Sequence, residues 1–170
     1  MKNLKLIIIK LINIYGRLIV KTDKNIFALL FNLKSFLLFS PSRLSWCGKS
    51  FVITDKELPD FKYKIRSQGV CNITYEFGIK TRAKNLEDCY FLDEIDFKDN
   101  DVIIDCGANV GDLKIWTELQ NKKIEYIAFE PSPIEFDCLK ENVYPSQAYN
   151  IGLWNKKREL AFYISSNHAD

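Results

Sequence analysis

The first 40 residues carry apolar side chains at helical spacing. Over four turns they recur every three or four positions, at Leu4, Ile7, Ile8, Leu11, Ile12, Tyr15, Leu18 and Ile19. A second apolar segment, "IFALLFNLKSFLLF", ends immediately before "SPS". We predict an amphipathic helix over the first of these segments and a second helix over Asn25 to Phe39. The second helix is expected to end there because proline disfavours helical backbone in the residue before it.

From Phe51 to Phe77 the pattern changes to alternation with a period of two. The run "FKYKIR" places Phe61, Tyr63 and Ile65 on one face and basic residues on the other, and "VCNITYEF" follows after "SQG". Such alternation is typical of half-buried strands, so we predict a β-hairpin from these two runs. A helix-and-loop connection over residues 79–97 and a turn at "KDND" are expected to follow.

The last 70 residues alternate between strand and helix patterns. "DVIID" is short and continuously apolar, as expected when helices cover both faces of a strand. A helix is predicted over residues 111–121 and a second strand at "IEYIAFE", with further strands at "AYNIGLW" and "ELAFYIS". The resulting βαβαβ order indicates an α/β fold with a parallel sheet.

The clearest local signal opens the helix after the second of these strands. Ser132 is expected at the N-cap, Pro133 at the first helical position and Glu135 two residues further on. This spacing is that of a capping box, in which the serine and glutamate side chains satisfy each other's backbone N–H groups. We therefore predict a helix from this point to about Asn142.

Charge is distributed unevenly along the chain. Residues 1–49 hold nine Lys or Arg against one acidic residue, Asp23, whereas residues 50–170 hold fifteen against twenty-one. Two interpretations of residues 1–40 stay open: a helical cap packed on the main domain, or a basic amphipathic pair on an anionic membrane surface. The apolar segments contain Lys10 and Lys34 and are too short to span a bilayer. We expect a cytoplasmic protein with a peripheral membrane contact as the second possibility, and no nucleic-acid partner.

Cysteine and histidine usage argues against a metal site. The chain has five cysteines, an odd number, and no two of them form a CxxC pair. They are Cys47, Cys71, Cys89, Cys106 and Cys138. We expect a reducing compartment, thiols that act as small buried apolar groups, and no zinc. His168 is the single histidine, and we expect it to be an exposed side chain near the C-terminal residue.

The candidate site is the turn in "DVIIDCGANVGDLKIW". Gly107 and Gly111 stand between a strand and a helix, where glycine permits a sharp turn and leaves room for a ligand against the backbone. Asp105, at the strand end, is placed to accept hydrogen bonds from an amine or hydroxyl. Glu130, at the end of the next strand, is placed to bind the two ribose hydroxyls of a nucleoside. A tight turn with incidental acidic residues is the alternative.

The spacing of the glycines bears on which nucleoside would bind. A dinucleotide site uses G-x-G-x-x-G, whereas this turn reads "GANVG" and has an acid two positions before its first glycine. That carboxylate would repel a pyrophosphate but suits the ammonium and sulfonium groups of S-adenosylmethionine. The sequence therefore favours S-adenosylmethionine, with a nicotinamide-dependent oxidoreductase as the alternative.

At these residues the sequence resembles the FkbM family of S-adenosylmethionine-dependent methyltransferases. The resemblance rests on "VIIDCGANVGD", "IAFEPSPIEFDCLKENV" and "YNIGLWNKKRELAFYI". It implies a Rossmann-like class I methyltransferase sheet, here partial, and O-methylation of a sugar or another hydroxyl-bearing metabolite, as in glycan biosynthesis. It also implies a site for the cofactor, with one group of residues around the methionine part of the cofactor, Glu130 on its ribose and two further residues near its adenine. The first group comprises Asp105, Gly107, Ala108, Asn109 and Gly111; the adenine pair is Pro131 and Ser132.

Three regions are expected in the chain. Residues 1–45 form a basic helical region, residues 46–98 a lead-in of strands and a helix, and residues 99–170 the N-terminal half of the methyltransferase domain. A complete sheet of that family has seven strands, and about 30 residues are needed for each βα unit, so a truncated and inactive fragment is a further alternative. No catalytic residue and no oligomeric state is assigned from the sequence.

Overall fold

The structure is a computed structural model, and it describes residues 11–12, 14–156, 158–159 and 161. In the predicted first helix, residues 11–12 and 14–19 are helical, and residues 4–10 and Asn13 lie outside the described residues. The second predicted helix is confirmed as α1, Lys24–Leu37. Its N-cap is Asp23, whose carboxylate accepts hydrogen bonds from the backbone N–H groups of Asn25 and Ile26.

An antiparallel sheet of three strands follows α1. The strands are β1 (Ser42–Trp46), β2 (Phe51–Asp55) and β3 (Leu58–Ile65), in the order β1-β2-β3. The strand predicted at "FKYKIR" is confirmed as part of β3. The inward face of the sheet belongs to a cluster of buried side chains that also contains Phe27 and Phe31 of α1, and the sheet contributes Phe51, Ile53, Tyr63 and Ile65 to it.

The predicted hairpin partner of β3 is wrong. The run "VCNITYEF" does not form a strand, because Gln68–Thr74 is helix α2. Ser67 caps this helix by accepting a hydrogen bond from the Val70 N–H, and Cys71 and Tyr75, four residues apart, are both fully buried on one side. The partner of β3 is β2, which precedes it in the chain.

The connection to the last part of the chain is confirmed. Helix α3 spans Ile79–Tyr90, and a 3₁₀ turn at Leu92–Glu94 follows it. Residues 99–100 form the predicted turn before the next strand. This connection brings the chain to the start of a second sheet.

The second sheet has the predicted βαβαβ order. Its strands are β4 (Val102–Cys106), β5 (Glu125–Phe129) and β6 (Gln147–Tyr149), all parallel and in the order β4-β5-β6. Helices α4 (Asp112–Glu118) and α5 (Pro133–Asn142) connect them. Residues 151–154 of the predicted strand "AYNIGLW" are not in a strand, and the candidate strand "ELAFYIS" lies mainly outside the described residues.

Helices do not cover both faces of β4, contrary to the prediction. Burial alternates along the strand, and the side chains of Val102 and Ile104 are 49% and 59% exposed. Ile103, on the other face, packs into the core. The prediction fails because nothing among the described residues covers the face that carries the two exposed side chains.

The buried side chains form two clusters. Tyr126 and Ala128 of β5 pack in a smaller one with Leu139 and Val143, and the larger one joins the antiparallel sheet to α1 and α4. Phe27 of α1, Ile53 of β2, and Ile115 and Trp116 of α4 belong to the larger cluster. The amide of Asn142 also joins the sheets: its Oδ1 accepts from the Lys64 N–H at 2.7 Å, and its Nδ2 donates to the Lys64 and Val110 carbonyls at 2.9 and 2.7 Å.

The cysteines are only partly as expected. Cys71 and Cys138 are buried, but Cys47, Cys89 and Cys106 are exposed thiols, so burial holds for two of the five. Within the described residues, no helix has the length and apolar character needed to cross a membrane.

Candidate functional site at the glycine turn

The turn after β4 is fixed to the end of β5. The backbone N–H groups of Gly107 and Ala108 both donate to the Phe129 carbonyl, at 2.8 and 3.0 Å. Gly107, Asn109 and Gly111 all have positive φ angles, of 82°, 51° and 92°. The turn therefore needs the left-handed backbone conformations that glycine and asparagine adopt most easily.

The two glycines have different surroundings. A Cβ added to Gly107 would meet no atom within 4 Å, so the backbone there borders open space at the end of β4. A Cβ added to Gly111 would lie 2.5 Å from Cγ1 of Val143 and 3.0 Å from Cδ1 of Leu139. The space beside Gly111 is thus taken by the end of α5, which gives this glycine a packing reason that the sequence did not indicate.

Asp105 is half-buried at the end of β4 and has a partner inside the protein. Oδ2 of its carboxylate accepts a hydrogen bond from the Tyr126 hydroxyl at 2.5 Å. Burial raises the pKa of Asp105, the bond from Tyr126 opposes that rise, and the nearby Asp112 adds to it. Asp105 thus brings a partly desolvated acidic group beside the open backbone of Gly107.

Glu130 connects the glycine turn to the start of α5. Its Oε2 accepts from the Asn109 N–H and its Oε1 from the Ser132 N–H, both at 2.8 Å. Burial raises the pKa of Glu130, and the two backbone N–H groups act against that rise. The Glu130 residue as a whole is 6% exposed. The structure thus gives Glu130 a role in holding two loops together, which sequence reasoning missed.

The start of α5 lies where the sequence predicted it, but its capping differs. Ser132 is the N-cap and Pro133 the first helical residue. The Ser132 hydroxyl donates to the Glu135 carboxylate and accepts no hydrogen bond from the helix backbone, so the two side chains bond to each other and the reciprocal capping box does not form. Pro131, just before the N-cap, is held by Asn150, whose side-chain Nδ2 donates to the Pro131 and Glu130 carbonyls.

A further polar cluster lies behind the turn. The Asp112 carboxylate accepts a hydrogen bond from the Tyr75 hydroxyl and two from the Arg82 guanidinium, at 3.0 and 2.6 Å. Tyr75 is fully buried, and burial is the main cause that raises its pKa. This cluster ties α4 to the N-terminal part of the chain. An acid in the first turn of a helix was visible in the sequence, but partners 30 or more residues away were not.

The structure therefore brings all eight sequence-predicted site residues to one edge of the parallel sheet. Among the described residues, no group of three or more His, Cys, Asp or Glu side chains is placed to hold a metal ion. His168 lies outside the described residues. The arrangement offers an open stretch of backbone beside two carboxylates, which suits a ligand with positive charge and hydroxyl groups.

Comparison with known proteins links the chain to methyltransferases. No protein-family model matches it. Over 54 residues it is 33% identical to 31-O-demethyl-FK506 methyltransferase FkbM of Streptomyces tacrolimicus, an alignment that covers 32% of this chain and 21% of that protein. The chain thus spans about a fifth of the length of this curated relative. The similarity supports a relationship to methyltransferases without assigning the chain to the FkbM family.

One solved structure also resembles the chain. It is P. horikoshii TYW2 in complex with MeSAdo, and the alignment covers 74% of this chain and 47% of that one. The sequence identity is 18% and the TM-score is 0.42.

Proposed function

We propose that the glycine turn binds S-adenosylmethionine and that the chain belongs to a methyltransferase acting on a hydroxyl group of a sugar or another small metabolite. The observation that carries the proposal is the open backbone at Gly107 between the carboxylates of Asp105 and Glu130, at the carboxyl end of a parallel sheet. The 54-residue similarity to a methyltransferase supports it independently.

In this proposal the residues of the turn bind and orient the cofactor. Asp105 attracts the ammonium and sulfonium charges, and its partial burial strengthens that attraction relative to bulk water. Gly107, Ala108, Asn109 and Gly111 supply the backbone around the methionine part. Pro131 and Ser132 border the adenine. When bound, the cofactor supplies an electrophilic methyl group, and the contribution of the protein is to hold it within reach of the acceptor oxygen.

Glu130 is able to bind the ribose without releasing the turn. Each of its carboxylate oxygens accepts one backbone N–H group, and each has a second lone pair. Two ribose hydroxyls can therefore donate to the same carboxylate. Ribose binding would then add to the connection between Asn109 and Ser132 instead of replacing it.

A nicotinamide cofactor is the competing ligand. Its pyrophosphate is anionic, and placing it against Gly107 would bring it next to the half-buried Asp105. Repulsion between like charges makes that placement unfavourable.

Calorimetric titration of the full chain with S-adenosylhomocysteine and with NAD tests the cofactor. We expect binding of S-adenosylhomocysteine only, weakened about tenfold or more by Asp105→Asn because this variant loses a charge-assisted contact. Asp105→Asn retains an oxygen that can accept from Tyr126. Asp96→Asn, at an acid whose side chain is 78% exposed, is the matched control and should leave binding unchanged.

Two results would contradict the proposal. Binding of NAD alone would favour an oxidoreductase, and binding of neither ligand would favour an inactive fragment. If the cofactor binds, transfer of a labelled methyl group from S-adenosylmethionine to a panel of sugars, with Asp105→Asn as the negative control, tests the acceptor class.

A further inference from the structure

Helix α1 is apolar on its outward side. Its inward side buries Phe27 and Phe31 and also the charged Lys34, which is paired with Glu76 and Asn72. On the opposite side lies a set of large apolar residues that are 50 to 69% exposed, here called the outer stripe. It comprises Ile26, Leu29, Leu33, Phe36 and Leu37.

The outer stripe is continuous along the helix. Apart from the adjacent Phe36 and Leu37, successive members are three or four positions apart, so they lie along one side of α1, which is roughly 20 Å long for 14 residues. Phe39, just beyond the end of α1, is 96% exposed. Apolar side chains exposed singly are common on protein surfaces, but a contiguous patch of this size marks a surface that contacts another apolar phase.

The preceding helical residues, 11–12 and 14–19, also expose apolar side chains. The Tyr15 hydroxyl donates to the Leu30 carbonyl at 3.2 Å, so residues 14–19 lie beside α1. Three of the exposed side chains in this segment are also apolar, those of Leu11, Ile14 and Leu18. Arg17 and Lys21 are exposed as well, and among the described residues neither has an acidic partner.

Charge decides which partner fits this surface. Apart from the buried and paired Lys34, residues 1–49 hold eight basic residues and one acidic residue, so a second copy of the chain docked on the outer stripe would bring two positive regions together. An anionic phospholipid surface has the opposite charge, and its acyl chains accept apolar side chains. Each Lys or Arg close to such a surface raises binding about fivefold. We propose that the outer stripe docks the protein on an anionic membrane, with α1 lying in the plane of the interface.

Co-sedimentation of the full chain with lipid vesicles tests the proposal. We expect binding to vesicles of phosphatidylcholine with phosphatidylserine at low salt, weaker binding at high salt, and little binding to phosphatidylcholine alone. The double substitution Leu29→Gln/Leu33→Gln should weaken binding about tenfold or more, because it removes apolar groups that enter the interface. Ile151→Gln/Leu153→Gln, at side chains that are 51% and 50% exposed outside the stripe, is the matched control and should have no effect.

Three results would overturn the proposal. The first is no binding to anionic vesicles at low salt, and the second is equal weakening of vesicle binding by both double variants. The third is absence of vesicle binding together with a dimer, seen in sedimentation velocity, that Leu29→Gln/Leu33→Gln dissociates. Circular dichroism checks that each variant is folded. If the double variant is not, Leu29→Gln alone, at the most exposed position of the stripe, replaces it, and unchanged binding by this variant would equally overturn the proposal.

Discussion

The two sheets of this protein differ in how completely they are enclosed. In the antiparallel sheet, β2 alternates between buried side chains and half-buried ones, and its buried side chains Phe51 and Ile53 lie in the same core cluster as Phe27 of α1. In the parallel sheet, β4 alternates between half-buried and exposed side chains. The first sheet therefore contributes mainly to the core, and the second presents its carboxyl edge and one face to its surroundings.

This difference separates the enclosed part of the core from the candidate site. All eight candidate site residues lie on or next to the less enclosed sheet, where the backbone at Gly107 borders open space. The enclosed sheet contacts the site directly, through the Tyr63 hydroxyl, which lies 3.4 Å from the Gly111 carbonyl, and also through Asn142. Substitutions in the two sheets should therefore have different effects on stability.

The largest expected difference is between two isoleucines at the centres of their strands. Ile53 of β2 is fully buried, whereas Ile104 of β4 is 59% exposed. We expect Ile53→Ala to lower the free energy of unfolding by about 3–4 kcal/mol, because it leaves a cavity in the core. Ile104→Ala should cost less than about 1 kcal/mol. Urea denaturation of both variants measures the difference, and equal losses would show that the outer face of β4 is covered.

An intermediate difference is expected between the two glycines of the turn. Gly111→Ala would force a Cβ against α5 and strain a positive φ, so we expect a loss of about 2–3 kcal/mol. Gly107→Ala should cost about 1 kcal/mol, because only the φ is strained and the space is open. Thermal and urea unfolding compare the two. A larger loss for Gly107→Ala would mean that the surroundings of the two glycines are misassigned.

The smallest expected effect is a pH dependence from Asp105. Its pKa in the folded state is above the ordinary value of 3.8, so the folded protein binds its proton more tightly than the unfolded chain does. This contribution to stability is present below the ordinary pKa and is lost as the pH rises through the raised one. Relative to Asp105→Asn, the native protein should lose free energy of unfolding over that window. Urea denaturation from about pH 3 to about pH 7 checks the sign, and a difference that is flat or rises with pH would contradict it.

Local signals in the sequence predicted much of the fold. Pro133 after Ser132 located the start of α5, and the long apolar period over Asn25 to Phe39 located α1 to within two residues. These signals work because a helix end or a long periodic segment is determined by neighbouring residues. The parallel order of the second sheet followed from the same kind of information.

Short segments without such signals were not predicted correctly. "VCNITYEF" has apolar residues that fit both a strand and one face of a helix, and only the burial of Cys71 and Tyr75 on the same side decides between them. The strand β1, "SRLSW", has only two large apolar residues and was not predicted. In both cases the decisive contacts come from other parts of the chain.

The candidate site, too, was predicted where the signal is local and missed where it depends on distant residues. The positions of Asp105, Gly107 and Glu130 at strand ends were visible in the sequence. The backbone N–H groups that bond to Glu130, and the pairing of Asp112 with Arg82, were not, because hydrogen bonds between segments 20 to 30 residues apart leave no local pattern.

The hydrogen bonds of the Asn142 side chain have a consequence for how the protein unfolds locally. It pairs with the edge strand β3 as a peptide group of a neighbouring strand would, through one donor and one acceptor, and the same amide reaches the loop before α4. Sliding one sheet past the other would break three hydrogen bonds at once. We therefore expect β3 and the glycine turn to exchange their amide hydrogens as one cooperative unit, so that the antiparallel sheet and the candidate site open together.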